Sequence, residues 1–142
     1  MRVLAPIFGT ITILVLGTGF LSAAESDESA QKPYTIENGK VDKKTFNGWR
    51  RYTESCLRCH GPDGAGSSYA PSLVDSAKHM RQDEFNEIVV NGRTNVNAAS
   101  GNVMPPFGEV EDVVSYLDDI WAYLKARADG ALGRGRPPRI GD

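Results

Sequence analysis

A chain of 142 residues has room for one domain with its own core and is short for two. Its 18 acidic and 16 basic residues leave a formal charge of −2. That balance excludes the strong basic excess of a nucleic-acid-binding protein.

The chain begins as an export signal would. Met1-Arg2 supplies a positive start, residues 3–21 are mostly apolar, and Ser22-Ala23-Ala24 offers small residues where a signal peptidase reads. The pattern predicts a signal peptide over residues 1–24 and a periplasmic mature protein. A retained anchor is the alternative, because the apolar run nearly spans a bilayer. No other run approaches that length, so no membrane span is expected after cleavage.

Residues 25–41 are expected to form an extended N-terminal arm. Its first part, through Pro33, is polar and lacks the means to bury itself. Asn38-Gly39 then sits between two short extended halves, a hairpin signal. Asp42 is placed to cap a helix from about Lys43 to Leu57. Gly48, Tyr52 and Cys56 lie four apart and share one stripe of it. Gly-Pro-Asp-Gly at 61–64 reads as a turn, and 64–77 as a loop. Phe85, Ile88 and Val89 predict a second helix over about 81–90, stopped by Asn91-Gly92. A long polar loop follows over 93–110, and loops of that length are usually functional. Val113, Val114, Leu117, Ile120, Trp121 and Leu124 predict a last helix from about Glu111 to Ala128. The tail, 130–142, is rich in Gly, Arg and Pro and too poor in apolar residues to pack alone.

The chemistry is concentrated in Cys56-Leu57-Arg58-Cys59-His60. Two cysteines three apart, followed at once by histidine, read as c-type haem attachment. Each sulfur would form a thioether with a haem vinyl group, and His60 would face the iron. The competing readings are a redox Cys-x-x-Cys and half of a zinc site. The first wants a βαβ context that is missing. The second wants another ligand pair, and no further cysteine exists.

A sixth ligand must come from elsewhere. Met80, His79 and Met104 are the candidates. Met104 precedes Pro105-Pro106, which stiffens the backbone that presents it. The bland alternative is a methionine filling a gap in the core. Ligation by His60 and Met104 suits a high-potential His/Met iron. It also leaves no open position for oxygen or peroxide, which points to an electron carrier and not an enzyme. A haem enzyme or gas sensor with a labile sixth position is the contrary reading.

These residues resemble the class I cytochromes c over about 46–125. The resemblance implies an all-α fold with helices packed around one covalent haem c. It implies that the Gly48-Tyr52-Cys56 stripe crosses the last helix at Ile120 and Tyr123. It further implies that Pro71, in Ala70-Pro71-Ser72-Leu73, accepts a hydrogen bond from His60, and that Leu73 packs on the haem. The domain is then expected to span 42–129.

A narrower resemblance rests on Lys40-Val41-Asp42, Asn47-Gly48-Trp49-Arg50-Arg51-Tyr52, residues 61–71, Tyr116-Leu117-Asp118-Asp119-Ile120 and the Gly-Ala-Leu-Gly-Arg-Gly-Arg-Pro tail. It is to the methanol-metabolism-related cytochromes. It implies a donor that is a quinoprotein alcohol dehydrogenase using pyrroloquinoline quinone, and an acceptor that is another cytochrome c or a terminal oxidase. A general respiratory shuttle or a complex-bound subunit is the alternative. Acidic residues on the last helix and arginines at 134, 136 and 139 are read mainly as solvated surface. Trp49 and Trp121 are read as core, not as electron relays.

Overall fold

The computed structural model describes residues 32–94 and 103–141. The expected signal peptide and the polar stretch through residue 31 lie outside the described residues, as does the middle of the 93–110 loop.

Asp42 organises the N-terminal part. Its Oδ1 accepts the Thr45 amide at 2.8 Å and its Oδ2 the Thr45 hydroxyl at 2.8 Å, which satisfies donors that a helix start leaves open. Helix α1 follows over Lys43–Ser55. Ahead of it, β1 (Ile36–Glu37) pairs antiparallel with β2 (Lys40–Val41). The turn between them places Asn38 at φ 50° and Gly39 at φ 76°, the left-handed pair that an Asn-Gly hairpin uses.

After α1 the chain forms a short helix α2 (Leu57–His60), closed by Gly61 at φ 73°, and a 3₁₀ turn over Pro62–Gly64. The expected loop at 64–77 contains one further turn of helix, α3 (Leu73–Ser76). Ser72 caps it by accepting the Asp75 amide at 3.1 Å. Helix α4 spans Gln82–Asn91 and buries Phe85 and Val89. The described ends of the next loop form a ladder. Strand β3 (Arg93–Thr94) pairs antiparallel with β4 (Val103–Met104).

The last helical region is two pieces, α5 (Glu111–Val114) and α6 (Leu117–Ala128), where the sequence predicts one. Tyr116 leaves helical geometry at φ −126°. The Arg51 guanidinium stacks 4.3 Å from the Tyr116 ring and reaches Asp112 at 3.0 Å, so α1 grips both sides of the break. Periodicity continues through the gap because Val113, Leu117 and Ile120 all face inward.

Helices α1 and α6 cross at Gly48, and Tyr52 meets Tyr123 with ring centroids 5.4 Å apart. Tyr52, Ile120, Tyr123 and Leu124 are almost fully buried there. Phe85 on α4 lies 5.3 Å from Trp121 on α6, which joins the third long helix to this pair. Trp121 is buried and Trp49 half-buried. The tail also packs. Leu132 is 7% exposed, and Val41 bridges to Arg139 through Val41 N to Pro138 O and Ile140 N to Val41 O, each 2.9 Å.

Candidate haem-binding site

The Cys-x-x-Cys-His segment lies where α1 gives way to α2. Helical bonds from Cys56 N to Tyr52 O and from His60 N to Cys56 O keep the two pieces in step. This sets Cys56 and His60 on the same side, and both line one internal cavity. Cys59 is exposed and does not line it. Neither cysteine is in a disulfide. Burial pushes the Cys56 thiol up to about 11, with Cys59 nearby adding to the effect.

The His60 ring is held from behind. Its Nδ1 lies 2.9 Å from the Pro71 carbonyl oxygen. A carbonyl can only accept, so Nδ1 carries a proton and donates, which leaves Nε2 as the nitrogen available to a ligand. The segment between the two residues is folded tightly. Gly66 N donates to His60 O at 2.8 Å, and Tyr52 Oη donates to Gly61 O at 2.5 Å. A Cβ on Gly61 would stand 2.2 Å from Gly66 O, so the turn has no room for a side chain there.

Met104 reaches the same cavity from β4. Two features hold its loop: the ladder to Arg93, and a close approach to Gly92. Gly92 has φ 75°, and a Cβ there would stand 2.6 Å from Met104 O and 2.8 Å from Pro106 N. Phe107 N and Gly108 N then bond Val89 O and Val90 O at 2.9 and 3.0 Å, which seats the Pro-Pro segment against α4.

The remaining wall is hydrocarbon: Leu73, Phe85, Ile88, Val89, Ile120 and Leu124. One imidazole and the sulfurs of Cys56, Met80 and Met104 are the exceptions. This donor set fits a haem. A porphyrin face wants apolar surroundings, and its iron takes imidazole nitrogen and thioether sulfur as ligands. Of the residues expected from sequence, Cys56, His60, Leu73 and Met104 come together at the cavity and Pro71 stands behind His60. Sequence reasoning passed over Phe85 and Ile88 as wall residues and treated Gly92 only as a helix stop. Asn91-Gly92 so near a methionine loop was the available signal. His79, the other histidine, does not line the cavity.

A family model described as cytochrome c oxidase, cbb3-type, subunit III, matches residues 44–124. This chain is a class I c-type cytochrome.

The cytochrome is 51% identical over 106 residues to cytochrome c-553I of Paracoccus denitrificans, across 75% of this chain and 47% of that protein. It thus spans about half the length of that relative. It is 38% identical over 96 residues to cytochrome c-555 of Methylococcus capsulatus, across 67% of this chain and 72% of that one. The crystal structure of the c-type cytochrome XoxG from Methylobacterium extorquens AM1 matches with a TM-score of 0.70 and 46% identity, over 77% of this chain and 67% of that chain. Membership carries covalent haem c, and the Cys56/Cys59 pair is the motif for it. The single motif gives one haem. These relatives all carry the names of cytochromes. Among the described residues no helix is long and apolar enough to cross a membrane.

Proposed function

We propose that this cytochrome is an exported, periplasmic one-electron carrier that accepts electrons from a quinoprotein alcohol dehydrogenase. On this reading residues 1–24 are removed as a signal peptide, 42–129 form the electron-carrying domain, and 25–41 and 130–142 are its arm and tail. Downstream, another cytochrome c or a terminal oxidase takes the electron.

The observation that carries the electron-transfer part is the apolar cavity with His60 and Met104 both on its wall. The bound haem supplies a reversible one-electron iron couple. His60 would hold the iron through Nε2 as one ligand while Nδ1 stays tied to Pro71 O. Met104 would present a soft neutral thioether as the other, which favours the reduced state relative to a second histidine. Leu73, Phe85 and Leu124 keep water away. Leu73 would lie against the macrocycle.

The donor rests on the narrower resemblance. Two of its parts, Lys40-Val41-Asp42 and the Arg-rich tail, meet through Val41 and Arg139. The test is stopped-flow mixing with a purified quinoprotein alcohol dehydrogenase and its alcohol. Fast reduction of this cytochrome, competitive with artificial acceptors, is the expected result. Slow reduction under every salt condition rejects the donor. A second reading takes its support from the matched family description, which names an oxidase subunit. In that case the protein co-purifies with an oxidase complex.

A further inference from the structure

Asp63 ties the turn after the haem motif to a segment 72 residues further along the chain. Its Oδ1 accepts the Gly135 amide at 2.9 Å, and its Oδ2 accepts Arg134 Nε at 3.1 Å. The Asp63 side chain is only 12% exposed, although Arg134 is 71% exposed. Asp63 also sits at φ 60°, a left-handed conformation that Asp tolerates better than most residues. These are the marks of a residue held in place.

The tail continues from this anchor as a strap. Arg136 stacks 5.5 Å from the Phe46 ring and 5.7 Å from Trp49. Pro138 O and Ile140 N then bond Val41 at the hairpin. The strap therefore runs from the haem-motif turn, across α1, to β2. A separate bond from Arg127 Nε reaches only the Asp63 backbone carbonyl, at 3.5 Å. Both carboxylate oxygens belong to the strap.

The turn that Asp63 anchors is the link between His60 and Pro71. Gly61 O is held by Tyr52, His60 O by Gly66 N, and the ring itself by Pro71 O. We propose that Asp63 is a positioning residue for His60, and that the C-terminal strap, by gripping Asp63, sets the His60–Pro71 hydrogen bond and the orientation of the imidazole. This rests on His60 being the proximal ligand. A histidine that donates firmly from Nδ1 is a more basic ligand and stabilises the oxidised iron. Loosening the turn weakens that donation and raises the reduction potential.

The test uses the holo-cytochrome. Four variants are compared with wild type: Asp63→Ala, Arg134→Ala, a stop after Gly133 that retains Leu132, and the stop combined with Asp63→Ala. The readouts are the midpoint potential and the hyperfine-shifted haem-methyl resonances of the oxidised protein, which report ligand ring orientation. Asp63→Ala and the truncation are expected to raise the potential and move the methyl pattern in the same direction. The combination should match the truncation alone, because the stop already removes both bonds that the Asp63 carboxylate accepts. Effects that add, or a wild-type pattern in both single variants, overturn the proposal. If the truncated chain yields no holo-protein, Arg134→Ala decides: it must shift the methyl pattern as Asp63→Ala does. A wild-type protein without a methionine–iron(III) band sinks the Met104 ligand reading instead. An unmoved pattern in a protein that has the band sinks the strap alone.

Discussion

A Cβ built on Gly48 would stand 1.8 Å from the Asp119 carbonyl oxygen and 2.4 Å from its carbon. The α1–α6 crossing therefore exists only because position 48 has no side chain. The contact is with backbone and cannot be relieved by a rotamer change. Gly48→Ala is expected to destabilise the holo-protein by about 3 kcal/mol, at the upper end of overpacking effects. Chemical denaturation followed by haem absorbance measures it. A loss within error of zero means the helices can slide apart freely.

The two methionines on the cavity are separable. Met104→Ala is expected to abolish the weak long-wavelength methionine–iron(III) band, lower the reduction potential and let the reduced protein bind carbon monoxide. Met80→Leu, a swap that nearly conserves volume, is expected to keep the band and cost less than about 1.5 kcal/mol. Visible spectra of the two variants decide which sulfur is the ligand. The opposite pattern would transfer the role to Met80.

Gly92→Ala tests how the Met104 loop is held. The substitution meets both a positive φ and backbone at 2.6 Å. The loop must shift away, so alkaline displacement of the methionine should occur at a lower pH than in wild type. A pH titration of the same band reads this directly. An unchanged midpoint shows that the loop is fixed from elsewhere.

Asp42 gives a pH dependence with a defined sign. Burial alone would raise its carboxyl, but the bonds it accepts from Thr45 and Thr35 outweigh burial and hold it below the ordinary value of 3.8. The unfolded chain therefore takes up the proton first as pH falls. The stabilisation is fully present above the unfolded value and is lost as pH drops through the lower folded one. Asp42→Ala should cost about 1 kcal/mol at neutral pH, the usual worth of an N-cap. The gap between variant and wild type should narrow below about pH 4. Denaturation midpoints across pH 3–7 test it, and a gap of constant size contradicts the assignment. Asp63 obeys the same logic: burial pushes its carboxyl up, and the Gly135 and Arg134 bonds bring it below the ordinary value.

Local signals were legible where the chain's own chemistry carried them. Asp42 caps α1 through bonds three residues away, and Asn38-Gly39 turns the hairpin through its own dihedrals. Their outcomes needed no distant partner. The break at Tyr116 was not legible, because Arg51 grips its two sides from another helix. The short helix α3 was likewise hidden in a segment that composition marked as loop.

The sequence by itself determined the cofactor chemistry, since Cys56, Cys59 and His60 must be close in the chain to grip one haem. It also determined where the three long helices lie, through apolar spacing that is local, and the start of α1, which Asp42 caps. Only the tertiary structure decided that Met104 and His60 face one cavity, that Gly92 props the methionine loop, and that the Arg-rich tail packs against Asp63 and Val41. The physical reason is range. Hydrogen bonds within a turn are set by neighbours, whereas cavity walls and straps depend on where remote backbone comes to rest.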